Sequence, residues 1–172
     1  MEKYQVDRLN KDQFFAEEPQ SPLTSAQKKD FRGLKYFPPN PKLKLKLELV
    51  AFKQPEPIEM QTSTGDIRDF YRIGKVHFEI DGEPAELSLY QNEDGYFLPF
   101  IDSLAGKETY PAGRYLDPEP LGGGIFLVDF NLAYNPYCAY NDNYSCPLTP
   151  AENRLHVPIR AGEKIFQKHE TE

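Results

Sequence analysis

No stretch of this chain approaches the ~20 consecutive apolar residues that a membrane-crossing helix requires, and tryptophan is absent altogether. Cysteine occurs twice, as Cys138 and Cys146, and histidine three times, as His77, His156 and His169. Each scarcity excludes something. A helical membrane span is ruled out. Two cysteines cannot supply the disulfide framework of a small secreted scaffold. Three scattered histidines give little support to Ser-His-Asp or Cys-His chemistry. His77 should point outward from a strand beside Lys75 and Glu79, His156 should alternate outward from Leu155 and Val157, and His169 lies in the charged C-terminal tail. Positive charge is also short: 20 Lys and Arg stand against 27 Asp and Glu, a net charge of -7. That balance argues against sequence-independent nucleic-acid binding and slightly favours a neutral or cationic partner. The opening MEKYQVDRLNKDQFF lacks the apolar core of a signal peptide, so a cytoplasmic protein is expected, with export conceivable only for a trimmed N-terminus.

What is present is enough for one core. The 172 residues, 39% of them hydrophobic, suit a single domain over 1–172, and 12 Phe with 11 Tyr suit β-rich packing. Residues 1–34 read as a helical lead-in. Leu9, Phe14 and Phe15 form its apolar stripe, Thr24-Ser25 offers an N-cap, and Gly33 a stop. YFPPNP (36–41) is a stiff extended connector. From residue 42 the period becomes two. Leu43, Leu45, Leu47 and Leu49 alternate with charges, the mark of a strand with one solvated face. Further strands are expected at Glu56–Ser63, Arg68–Arg72, Lys75–Ile80, Ala85–Gln91, Tyr96–Ile101, Ile125–Phe130, Arg154–Ile159 and Lys164–Gln167, with Asp81-Gly82 as a hairpin turn. Val76, Phe78, Ile80, Leu87 and Leu89 should join the leucines in the core. The expected architecture is a mainly β domain over 42–167, an antiparallel barrel or sandwich with long ordered loops.

The chemistry is concentrated in two of those loops. GKETYPAGRYLD (106–117) carries Glu108, Tyr110, Arg114, Tyr115 and Asp117. Arg114 has the fork geometry to bind a carboxylate or phosphate, and an Arg–carboxylate pair pinning the loop is the plainer alternative. No Gly-Lys-Ser/Thr follows, so this is not a phosphate loop. Asp129 ends a strand on the face of Ile125 and Leu127 and needs a partner there, for which Arg114 and Arg154 are candidates. The 131–154 segment holds Asn131, Tyr134, Asn135, both cysteines and the triplet Glu152-Asn153-Arg154, punctuated by Pro136, Pro147 and Pro150. Asn153 reads equally well as a turn cap. Long loops this rich in directional groups are commonly functional. The cysteines read as a staple, bonded in an oxidising compartment and free thiols in a reducing one. A metal site lacks ligands, because only His156 is near and there is no C-x-x-C. No residue pattern names a cofactor.

These readings converge on a pocket built by the 102–121 and 131–154 loops, taking a small polar or anionic molecule. Arg114 and Arg154 would be the anion donors, with Glu108, Asp117 and Asp129 orienting them. Tyr110, Tyr115, Asn131, Tyr134, Asn135, Glu152 and Asn153 would supply hydrogen bonds and flat walls. A hydrolase or lyase with Glu108 or Asp129 as general base, the arginines stabilising an oxyanion, is the alternative. An interaction protein whose loops are merely knitted together is a third. Oligomeric state is not written in the residues.

The segments PFIDSLAGKETYPAGRYLD and VDFNLAYNPYCAYNDNYSCPLTPAENRLHVPIRAGEK resemble the signature blocks of an uncharacterised bacterial and archaeal family, domain of unknown function 1684. SPLTSAQKKDFRGLKYFPPNP and TSTGDIRDFYRIGKVHFEIDG fit the same pattern, so the resemblance spans about residues 12–166. Pro111, Ala112 and Tyr137 depart from it without touching the charged candidates. The resemblance implies a compact, mostly β domain and carries no activity with it. Exported relatives within that family leave the disulfide reading open.

Overall fold

The computed structural model describes residues 2–166. Helix α1 (Glu2–Glu17) and the short α2 (Ser25–Asp30) lead in. Thr24 caps α2 in a capping box, its hydroxyl accepting from the Gln27 amide while the Gln27 side chain accepts from the Thr24 amide. Among the described residues eight strands follow: β1 (Lys44–Glu48), β2 (Val50–Gln61), β3 (Ile67–Ile80), β4 (Glu83–Asn92), β5 (Gly95–Phe100), β6 (Arg114–Leu116), β7 (Glu119–Gly122) and β8 (Ile125–Asp129). They form two antiparallel sheets, one ordered β1-β8-β7 and the other β2-β3-β4-β5-β6. The sheets do not close on each other. Of the two expected architectures the structure is therefore the sandwich and not the barrel. Among the described residues no helix is long and apolar enough to cross a membrane.

The core lies between the sheets. Val76, Phe78, Ile80, Leu87, Leu89, Leu98 and Phe100 of the larger sheet meet Phe126 and Val128 of the smaller, with Phe130 wedged between Phe78 and Phe100. The alternating leucines behave unequally. Leu43 is buried in a 3₁₀ turn before β1, whereas Leu45, Leu47 and Leu49 are half-buried along a strand that flanks the core. The Asp81-Gly82 turn is as expected: both residues have positive φ, 51° and 83°, and pair Ile80 with Glu83.

Two strand expectations change. Arg68–Arg72 and Lys75–Ile80 are one continuous strand, broken in register between Arg72 and Gly74. Arg154–Ile159 and the described part of Lys164–Gln167 are not strands, apart from a single parallel bridge from Arg154 to Ile101. Side chains take the place of a strand partner there. The Asp102 carboxylate accepts from the Ile159 amide, and Arg114 donates to the carbonyls of Ile159, Ala161 and Glu163. Strands β6 and β7 were unexpected. Both are short, and β7 is the Pro- and Gly-bearing EPLG.

The irregularity in β3 positions the site. A one-residue slip exchanges the two faces of a strand. Val76, Phe78 and Ile80 face the sandwich core, whereas Phe70, on the far side of the bulge, joins Met60, Tyr90 and Phe97 on the opposite face. Gly74 sits at the bulge because the chains meet there: a Cβ would lie 2.5 Å from the Val50 carbonyl oxygen and 2.9 Å from the Ala51 Cα. The result is a second apolar patch on the outer face of the larger sheet.

Candidate functional site

The 131–154 segment crosses that outer face as a strap. At one edge it pairs with β6, Tyr115 and Tyr134 exchanging amide–carbonyl bonds of 2.8 and 3.1 Å. At the other it meets the end of β2: the Leu148 amide donates to the Gln61 carbonyl at 2.8 Å, and the Ser63 amide to the Cys146 carbonyl at 2.9 Å. Ser145 adds a hydrogen bond from its hydroxyl to Asp66 at 2.7 Å, and the Arg68 guanidinium donates to the Ser145 carbonyl. Between strap and sheet lies a cleft of about 360 Å³.

Its walls are aromatic. Phe97 packs edge-on against Tyr115 at 4.7 Å, Tyr115 against Tyr134 at 5.8 Å, and Phe70 stacks on Phe97 at 5.3 Å. Tyr96, Tyr137 and Tyr144 complete the ring of flat side chains. The polar groups at its border are Arg68, Asn92, Asp94, Asp117, Asn135 and Ser145. Tyr134 donates to Asp117 at 2.8 Å and Tyr115 to the Pro147 carbonyl. Both phenols are held well above their ordinary range, Tyr115 by burial and then by the neighbouring cysteines, Tyr134 by burial and then by Asp117. They are neutral hydroxyls across the physiological range. A second depression, of about 680 Å³, continues from the cleft across Arg68, Phe70, Asn92 and Asp94, bordered also by Glu59, Asp69 and Glu93.

From the residues singled out in the sequence, the structure brings Tyr115, Asp117, Tyr134, Asn135 and Cys146 to the cleft. The others lie outside its lining. Arg114 is 1% exposed, and its guanidinium faces backbone carbonyls and Asp102, 3.7 Å away. Burial, partly offset by Asp102 and Glu163, lowers it to about 10. A guanidinium so engaged has no free edge for an anion. Asp129 is buried too, but its partners are Tyr4 and Asn131 and not an arginine. Asn131 ties the 36–41 connector down through both the amide and the carbonyl of Asn40. Glu108 lies 3.9 Å from Arg160 on an exposed surface, and Arg154 is exposed. Asn153 is fully buried and bridges β4 and β5, accepting from the Ser88 amide at 2.9 Å and donating to the Ser88 and Pro99 carbonyls. Glu152 accepts from Ser88, Tyr90 and Arg72 on the same sheet.

The cysteines are free and both buried. The Cys138 amide donates to the Cys146 sulfur at 3.3 Å, and the Tyr110 hydroxyl lies 3.9 Å from the Cys138 sulfur. The Cys146 thiol donates to Cys138 and brings it down to about 6, while Cys146 is itself pushed up by the same contact. Arg68, Asn92, Asp94, Tyr96, Phe97, Tyr137 and Tyr144 were not foreseen as site residues. For Asn92, Asp94, Tyr96 and Phe97 the signal in the sequence is the polar turn NEDG beside an aromatic pair, whereas Tyr137 and Tyr144 lie in the 131–154 segment already singled out. Glu163 carries no such signal. It is a carboxylate 2% exposed that gathers Lys11, Tyr140 and the Asn135 amide beneath the strap. Among the described residues, no group of three or more His, Cys, Asp or Glu side chains is placed to hold a metal.

A strap-covered aromatic cleft on a β-sandwich defines the class of this protein by shape, and comparison places it in a family. Residues 29–164 match the family described as "Protein of unknown function (DUF1684)", and the chain belongs to that family. The solution NMR structure of an uncharacterised protein from Haloarcula marismortui is 36% identical, superposes with a TM-score of 0.71, and covers 94% of this chain and 92% of its own. Among curated proteins there is no match to the chain.

Proposed function

We propose that the protein binds a small molecule with a flat, largely apolar body in the cleft between the 131–154 strap and the outer face of the larger sheet. The observation that carries this reading is the wall itself. Aromatic rings interlock by edge contacts around an open space, and the two phenols at its base, Tyr115 and Tyr134, are fixed by hydrogen bonds to the Pro147 carbonyl and to Asp117. Rigid aromatic side chains with a few oriented polar groups are the usual furniture of a small-ligand site. The volume, about 360 Å³, lies at the small end of such sites. The anion-binding form of the idea loses its two donors, since Arg114 is spent on the backbone and Arg154 does not border the cleft. Acid–base catalysis by Glu108 or Asp129 gains nothing from the geometry, because neither reaches the cleft.

Native mass spectrometry of protein purified under gentle conditions should show a co-purifying small molecule, reduced by Tyr134→Ala. A Tyr134→Ala protein that folds normally and retains the same ligand would sink the assignment to this cleft.

A further inference from the structure

The structure also indicates the charge of that ligand. We propose that the cleft takes a small organic cation, a protonated or quaternary amine on a compact apolar body; this rests on the cleft being the binding site.

Several hydrogen-bonding groups around the cleft are already used. The hydroxyl protons of Tyr115 and Tyr134 are taken by the Pro147 carbonyl and Asp117, leaving lone pairs on the phenol oxygens. Arg68, the one arginine of the lining, gives an N–H to the Ser145 carbonyl. Asn135 also lines the cleft, but its side chain is not free for a ligand: Nδ2 donates to the Lys164 carbonyl at 3.0 Å and to the Tyr140 hydroxyl at 3.2 Å, and Oδ1 is fully buried.

The charges agree. Asp94 and Asp117 border the cleft against a single arginine, and the adjoining depression adds Glu59, Asp69 and Glu93. The aromatic faces supply the third element, since a cation over Tyr or Phe rings is attracted by their negative faces. Aromatic walls and surplus carboxylates together fit an ammonium group and repel a carboxylate or phosphate. Catalysis is not part of the inference.

The test uses three probes of one shape, benzylamine, benzyl alcohol and benzoate, titrated into the full ¹⁵N-labelled chain at neutral pH. Benzylamine should shift the amides of Tyr134, Asn135 and Ser145, bind roughly tenfold more tightly than the other two, and weaken as salt is raised. Asp117→Asn, an exposed and conservative change, should lower benzylamine affinity several-fold. If benzyl alcohol or benzoate binds at those amides as well as benzylamine does, the cationic assignment fails and the cleft stands as a site. If none of the three moves them, the cleft reading fails as well.

Discussion

Single residues in this protein do the work of missing secondary structure. Arg114 and Asp102 satisfy the backbone of 159–163 where no strand lies beside it. Replacing Arg114 by lysine keeps the charge and loses the planar fork, so donors to several carbonyls disappear at once. Arg114→Lys should cost about 2–4 kcal/mol in denaturant titration. Because Arg114 does not line the cleft, ligand affinity in the folded protein should hardly change, and a large loss of affinity at full stability would return it to the site. Asn153 makes the same point. It was legible as polar and interesting, but its neighbours decide that it is a rivet between β4 and β5. The sequence suggests a staple at the cysteines, and the structure leaves them as adjacent free thiols. Treatment with oxidised glutathione should close an intramolecular disulfide, titratable thiols falling from two to none in a monomer. The short loop so closed should add about 2–3 kcal/mol of stability. Two persistent thiols, or a disulfide-linked dimer, would show that the pair cannot close.

At the scale of elements, alternation predicts a strand better than it predicts how deeply that strand is buried. Leu47 lies on a three-stranded sheet and is half-buried, while Leu87, central in the larger sheet, is fully buried. Leu87→Ala should therefore cost about 2–5 kcal/mol, and Leu47→Ala clearly less under the same conditions. Equal losses would mean that β1 closes over the core more tightly than described. The hairpin of β3 and β4 was readable from Asp81-Gly82 and the flanking pattern. The Arg72/Gly74 bulge was not, because a register slip leaves the local period intact and only the partner strand reveals it. Glu152 pins the 3₁₀ turn Ala151–Asn153 to that sheet. Burial alone would raise its carboxyl, but hydrogen bonds from Tyr90, Arg72 and Ser88 outweigh it and hold it below its ordinary value of 4.5. A carboxyl depressed on folding stabilises the protein above its unfolded value and loses that contribution as pH falls through the folded one. Glu152→Gln should flatten the fall in melting temperature below pH 4.5. Parallel curves for the two proteins would remove Glu152 from the acid response.

Over the whole molecule, the strap depends on the N-terminal helix. Lys11 of α1 pairs with Glu163, which also receives Tyr140 and the Asn135 amide, and Phe15 packs edge-on against Tyr140 at 4.9 Å. Lys11→Ala leaves a carboxylate 2% exposed without its cation, and breaking one half of such a pair costs about 3–5 kcal/mol. The loss should be largely relieved by adding Glu163→Gln, as a double-mutant cycle on thermal unfolding would read; additive losses would dissolve the link.

Composition and period by themselves determined a mainly β chain, a capped helical lead-in, the Asp81-Gly82 hairpin, and the presence of directional chemistry in the 131–154 segment. Those properties are local, since they follow from side-chain period, backbone preference and turn stereochemistry within a few residues. Only the tertiary structure decided which groups share a space. Arg114 and Tyr115 are consecutive, yet one clamps the backbone and the other walls a cleft. Arg68 and Ser145 meet across 77 positions. Such meetings are set by where the bulged sheet turns its outer face and where the strap crosses it. They depend on long-range packing, in which a polar side chain takes whichever partner the fold brings within hydrogen-bond reach.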